Sequence, residues 1–311
     1  MTLPPQLMTA ALRVLLKSIM QPWVPLPLQR IWMCAWGALI PRSSDVRWAR
    51  TRLGGVDALR TTPPRAPGDV IVLHLHGGGY TTGSPLFQSA LGGHISEALS
   101  APLYMIRYRL APKNPYPAAL QDAVSAYTAC LELGYESQNI VLSGDSSGGG
   151  LALAAALRLR DSGFPLPGVV VMLSPWLDLC PRTQRIRRTC RDPALSKRSL
   201  ISAAAAYSGA IDQSHPEISP LLADLSGLPP MILHGGSNEL LRDDFERLAE
   251  KSARHGLDFK LRIFPRQWHV FHMFASVHPE AADAVAVLAE DIRAASDASS
   301  LRPPGAPVRS G

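Results

Sequence analysis

Residues 139–151 read NIVLSGDSSGGGL, two serines boxed in by Gly144, Gly148, Gly149 and Gly150. A strand-like apolar run precedes them and an alanine-rich helical run follows, leaving almost no room for a turn. The residue at such an apex is forced into a strained backbone conformation, with its side chain above the sheet. Its neighbours two before and two after come too close to carry a Cβ and want to be glycine. Gly144-Asp145-Ser146-Ser147-Gly148 meets that demand with Ser146 at the apex; Ser147 fails it, because the residue two before it is Asp145. A helix opening at Ser147 points its N–H groups at the serine and favours negative charge there, as a serine attacking a carbonyl requires. Composition alone produces a G-x-S-x-G in roughly one such chain in ten, so the strand-before, helix-after setting carries the argument. A phosphate-cradling Walker loop would need Lys-Ser/Thr after the glycines, and GGGLAL has none.

A second glycine cluster, His76-Gly77-Gly78-Gly79, follows the apolar run VLHLH. Its use is to bring backbone N–H groups up to an oxygen that becomes an oxyanion, with the N–H of Ser147 as a further donor. His74 and His76 share a strand face, but no nearby Asp, Glu or Cys completes a metal-ligand set, and His74 reads as a packed strand histidine. The serine needs a base, and the base an orienting carboxylate. Beyond the last strand-like run, FPRQWHVFHMF offers His269, close to the strand end, and His272, three residues on and within a helix. The loop after MILHG offers Glu239 at its junction with a helix, then Asp243 and Asp244 in the first helical turn, where carboxylates are common simply because they complement the helix dipole. Ser146, Glu239 and His269 are the favoured set, with His272, Asp243 and Asp244 as alternatives; the order Ser…Glu…His is that of α/β-hydrolases.

The elements that would position these groups alternate along the chain. A hairpin spans VRWARTRL-GG-VDALRTT; then come VIVLHL, a helix over 85–99, LYMIRY, a helix over 117–133, NIVLSG, a helix over 147–162 and GVVVML. After an irregular stretch follow PPMILHG with a helix over 240–255, and FKLRIF with a helix over 279–295. Short unalternated apolar runs separated by helices predict a mostly parallel sheet with helices on both faces. Ahead of it, residues 5–20 place Leu7, Met8, Ala11, Leu12, Leu15 and Ile19 at helical spacing, and prolines separate them from a second short helix ending near residue 40. These helices have too little apolar surface for a core of their own and are expected to lie over something. The tail SSLRPPGAPVRSG is rich in Pro, Ser and Gly and reads as disordered.

At 311 residues the chain suits one large domain with a small attachment, and its net charge of +6 is modest. The run CPRTQRIRRTCR, with Arg182, Arg185, Arg187, Arg188 and Arg191, has no interleaved aromatics and reads as solvated surface rather than a nucleic-acid site. Cys34, Cys130, Cys180 and Cys190 have no CxxC spacing and read as free thiols of a reducing cytoplasm. The N-terminus lacks a basic n-region and a cleavage site, and no apolar segment reaches the roughly 20 residues of a membrane span. Stable membrane insertion is therefore not expected.

With these residues in place, the chain resembles the hormone-sensitive-lipase family of α/β-hydrolase carboxylesterases, in its bacterial branch. The resemblance covers about residues 70–275 and rests on HGGGYTTGS, YRLAPKNPYPAALQDA, LSGDSSGGGLALA, LSPWLDL, LPPMILHGGSNELLRDD and WHVFH, in that order. It implies an α/β-hydrolase fold with Ser146 as nucleophile, His269 as base, Glu239 as acid, and an oxyanion hole from Gly77, Gly78, Gly79 and Ser147. It also implies a helical cap: residues 1–45, with a contribution from about 180–217, over a catalytic domain of 46–296 and a tail of 297–311. The substrate it implies is a small-molecule ester, with short acyl chains expected, and no cofactor or metal. An amidase or lactonase with the same triad, and a non-catalytic small-molecule receptor on the same fold, stand as alternatives, and a homodimer is left open. Three positions depart from the family's usual pattern: Ser147 replaces an alanine, Lys113 a glutamate, and Glu239 an aspartate. Trp23, Trp32 and Trp36 are expected in the core of the cap rather than along its pocket.

Overall fold

The computed structural model describes residues 5–66, 69–185 and 192–300. Eight strands form one sheet: β1 (Arg47–Leu53), β2 (Val56–Thr62), β3 (Ile71–Leu75), β4 (Leu103–Ile106), β5 (Ile140–Asp145), β6 (Val169–Leu173), β7 (Met231–Gly236) and β8 (Phe259–Phe264), in the order β1-β2-β4-β3-β5-β6-β7-β8. The hairpin β1–β2 and the β2–β4 pair are antiparallel; every later neighbour is parallel. The central strands read as unbroken apolar runs because both of their faces are covered. Ile71, Leu73 and Leu75 of β3, with Ile140 and Leu142 of β5, enter one core; Val72 and Val141 enter the other. Helices α4 (Ala118–Glu132), α5 (Ser147–Asp161) and α7 (Arg242–Arg254) pack on the first face, and α3 (Ser89–Leu99) and α8 (Pro279–Ser300) on the second. This is the α/β-hydrolase fold with its mostly parallel sheet.

Three helices stand off the sheet. α1 (Pro5–Ala11) runs on as a π-helical stretch, Leu12–Lys17; α2 is Leu26–Leu39 and α6 is Lys197–Ser208. The hydroxyl of Ser196 caps α6 by accepting from the N–H of Ser199. Met8, Leu12, Met33 and Ile40 join the second core beside Phe87, Met273 and Phe274, which is what fastens the N-terminal segment down.

Two expectations need correcting. α8 continues to Ser300, so the span read as tail begins as helix, and residues 301–311 lie outside the described residues. Trp23 and Trp32 are not core: they are 65% and 36% exposed, because α2 packs through Gln29, Met33 and Gly37 and turns the face bearing Trp32 outward. Within the basic run Arg182 pairs with Asp212, while Arg187, Arg188, Arg191 and Cys190 lie outside the described residues. Cys34, Cys130 and Cys180 are free thiols. Among the described residues no helix is long and apolar enough to cross a membrane.

Candidate active site

β5 runs to Asp145, one residue past the apolar run NIVLSG, and α5 opens at Ser147, so the whole turn is Ser146 at φ 53° and ψ −123°. A non-glycine residue held there is strained, and two backbone approaches hold it. A Cβ on Gly144 would sit 2.1 Å from the carbonyl oxygen of Gly148, and one on Gly148 would sit 1.9 Å from that of Leu75. Only glycine fits either place.

Ser146 Oγ donates to His269 Nε2 at 2.8 Å, and His269 Nδ1–H donates to Glu239 Oε2 at 2.9 Å. The three come from the loops after β5, β7 and β8, at one end of the parallel strands. Glu239 is fully buried; its other oxygen accepts from Ser174 Oγ at 2.7 Å and from the N–H of Gly236. Burial pushes the Glu239 carboxyl up, against the stabilising bonds from His269 and Gly236. For His269, burial disfavours the charged ring, but the bond to Glu239 and that carboxylate's charge outweigh it and raise its pKa above the ordinary value. The ring is thereby a stronger base than a free histidine.

His272, the alternative base, does not reach the serine. It is fully buried against His234, Phe264 and Phe271, and neither ring nitrogen has a partner among the described residues. Burial holds its pKa well below the ordinary value. Asp244, an alternative acid, accepts instead from the N–H groups of Leu177 and Asp178 at 3.0 and 3.1 Å, and burial pushes its carboxyl up to about 7. Asp243, the other alternative acid, makes no hydrogen bond to His269, and its Oδ2 is buried without a partner among the described residues.

The HGGG loop is bound to the elbow by Asp145. Its Oδ1 accepts from Gly77 N–H at 3.0 Å and from His74 Nε2–H at 3.1 Å, and its Oδ2 from Gln88 Nε2 at 2.6 Å. Gly77 therefore has its N–H engaged, while the N–H groups of Gly78, Gly79 and Ser147 find no acceptor among the described residues. Gly78 takes φ 124°, which only glycine adopts readily. His74 accepts from Ser143 Oγ through its other nitrogen, and both its ring positions are taken. His76 donates to the carbonyl of Gly77 at 2.8 Å and stacks on Tyr108, and burial lowers its pKa to about 4. Among the described residues no group of three or more His, Cys, Asp or Glu could hold a metal. The Ser147 hydroxyl, the departure from alanine, accepts from the N–H of Tyr80 at 3.2 Å and so ties the HGGG loop to the start of α5.

Four supporting residues were not anticipated from sequence: Asp145, Gln88, Ser174 and Asp192. Ser174 takes φ 49° after β6, donates to Glu239 and accepts from the N–H of Val270 at 3.0 Å, so it holds acid and base loops together. Asp192 is buried and accepts from the N–H groups of Ala194, Leu195 and Leu240, the last being next to Glu239, while its own carbonyl accepts from Lys17 Nζ. In sequence Asp145 stands in LSGDSSGGGLALA and Ser174 in LSPWLDL, but Gly77, Glu239 and Val270, which they hold, lie far along the chain, as Leu240 does from Asp192.

A cavity of about 410 Å³ opens at Ser146 and His269. Leu12, Leu16, Met20, Met33 and Trp36 line it from the N-terminal segment, and Leu200 and Ala203 from α6. Trp36 alone of the three tryptophans reaches the pocket.

The α/β-hydrolase-fold family model matches residues 72–273. An acetyl-hydrolase of Streptomyces hygroscopicus is 38% identical over 75% of this chain and 78% of its own. The crystal structure of a hormone-sensitive lipase from a metagenome library superposes with a TM-score of 0.88 at 35% identity, over 95% of this chain and 99% of that one. An esterase of the bacterial hormone-sensitive-lipase family gives 0.85 at 34% identity, over 94% and 99%. Matched in motif order, in fold and along nearly its whole described length, the chain belongs to the α/β-hydrolase family, in the bacterial hormone-sensitive-lipase branch of carboxylic ester hydrolases.

Proposed function

We propose that Ser146, His269 and Glu239 carry this carboxylesterase's reaction, on small esters with short acyl chains. Ser146 Oγ attacks the ester carbonyl carbon as its proton passes to His269 Nε2. The carbonyl oxygen becomes an oxyanion held by the N–H groups of Gly78, Gly79 and Ser147 at the head of α5. His269 returns the proton to the departing alkoxide, leaving an acyl-enzyme on Ser146. Water then attacks with His269 again as base, and the acid leaves. Glu239 keeps the imidazole in the tautomer that presents Nε2 to the serine and stabilises its charged form.

The observation carrying this reading is the unbroken chain Ser146–His269–Glu239, with bonds of 2.8 and 2.9 Å. It also favours catalysis over the receptor reading, for which an oriented base has no use. The N-terminal segment and α6 act as the cap, since both line the cavity over Ser146. The free thiols Cys34, Cys130 and Cys180 favour a cytoplasmic location. The test is hydrolysis of p-nitrophenyl esters from acetyl to palmitoyl, with the matching anilides and lactones alongside. A maximum at short acyl esters supports the reading; faster turnover of anilides or lactones would replace the substrate class.

A further inference from the structure

α2 has two apolar faces, and the fold covers one. Gln29, Met33 and Gly37 point inward. Leu28, Ile31, Trp32 and Leu39 recur at helical spacing on the other side, and Leu28, Ile31 and Leu39 are 57%, 67% and 74% exposed. Val14 and Trp23, earlier in the same N-terminal segment, are 66% and 65% exposed. Six of the eleven exposed large hydrophobics among the described residues thus fall within the first 40 positions, and Ile201 on α6 adds a seventh from the other cap segment. A helix apolar on all sides is ordinarily buried or in lipid, and a concentrated exposed patch marks an interaction surface.

Charge says what the surface meets. Residues 1–44 contain Arg13, Lys17, Arg30 and Arg42 and not one Asp or Glu. None of these four forms an ion pair among the described residues: Lys17 and Arg30 donate to backbone carbonyls, and Arg42 lies over the ring of Trp48. On α6, Lys197 and Arg198 are exposed, and the Arg198 guanidinium sits 5.8 Å over the ring of Trp23. Exposed apolar side chains with tryptophan, on segments that also expose Arg13, Lys197 and Arg198, match an anionic lipid interface. A second copy of the chain is a poor match, because a two-fold contact through this face would set cation against cation with no carboxylate from the segment to answer them. The patch also meets the cavity: Pro22 and Pro25 are exposed and line it, with Trp23 between them.

We propose that the outward face of α2, with Val14 and Trp23, docks on an anionic lipid surface and sets the rim of the cavity against it. The test is co-sedimentation of the full chain, carrying Ser146→Ala so that no lipid is cleaved, with vesicles of phosphatidylcholine mixed with phosphatidylglycerol and with phosphatidylcholine alone. Binding is read without catalysis, so it stands or falls apart from the hydrolase reading. The expected result is binding at least ~tenfold tighter to the anionic vesicles, weakened by salt, and lost in Leu28→Ser/Ile31→Ser/Leu39→Ser. That triple variant, in the Ser146 background, keeps its turnover of a soluble ester, which shows it is folded. Equal sedimentation of the parent and triple variant, or no binding to either vesicle at low salt, overturns the proposal. So does a solution dimer that the triple variant splits, which would give the face to a second copy.

Discussion

On one side of the cavity stand Asp145, Ser174, Glu239 and His269, buried polar groups hydrogen-bonded to one another, to backbone N–H groups and to the side chains of His74, Gln88 and Ser146. On the other side the N-terminal segment lines the same space with Leu12, Leu16, Met20 and Met33, and its buried polar side chains among the described residues, Gln21 and Gln29, donate to their own segment's carbonyls. The contrast separates two jobs. A reacting serine needs its base and oxyanion donors fixed in place, and in a low-dielectric interior fixed dipoles act strongly while unpaired ones cost heavily. A surface that admits esters of varied shape needs apolar contact without fixed partners.

The comparison predicts that substitutions on the polar side act on rate and those on the apolar side on substrate range and attachment. Ser146→Ala should lower kcat by at least ~10⁴-fold while the near- and far-ultraviolet circular dichroism stays that of the wild type. Glu239→Gln should cost ~10³–10⁴-fold, since the amide cannot stabilise the imidazolium and disturbs its tautomer. The pH profile sharpens that result. His269 must be neutral to act, and its pKa is raised, so the acid limb of kcat/KM should lie above the ordinary histidine value of about 6.5. Removing Glu239's charge should move the limb downward, and Asp192→Asn should move it the same way by less. Ser174→Ala, which frees both the acid and the base loop of a shared tie, should cost roughly 10- to 100-fold in kcat.

The smallest effect is expected at His272, three residues from the base. His272→Phe should leave kcat/KM near wild type. It should also flatten the loss of stability on acidification. The folded-state pKa of His272 is depressed, so below about pH 6.5 the unfolded chain binds more protons than the native one and stability falls with pH. Thermal unfolding followed between neutral and acid pH reads this directly, and His76 and His234, both depressed to about 4, contribute to the part that remains.

The same contrast explains what could be read from the sequence. Ser146 was legible because the turn forces glycine two residues to either side, a constraint written within five residues. The HGGG loop and the strand–helix alternation were legible for similar local reasons, and Glu239 and His269 followed from chain order and their distance past a strand. Asp145, Ser174 and Asp192 act on groups 48 to 96 residues away in the chain, so only the folded sheet shows their use. Gly77 reads in sequence as an oxyanion donor, but in the fold its N–H is held by Asp145. The cap tryptophans mislead in the opposite way: they read as core, but α2 packs through one face and leaves Trp32 outside, and Trp23, ahead of α2, is exposed as well.

The central claim is that one serine, Ser146, carries the acyl group, with Ser147 contributing only its backbone and a structural hydroxyl. Intact-protein and peptide mass spectrometry after reaction with a fluorophosphonate ester tests it, using the wild type, Ser146→Ala and Ser147→Ala. A single adduct is expected on Ser146 in the wild type and in Ser147→Ala, and none in Ser146→Ala. An adduct on another residue, or ester hydrolysis surviving in Ser146→Ala, would contradict it.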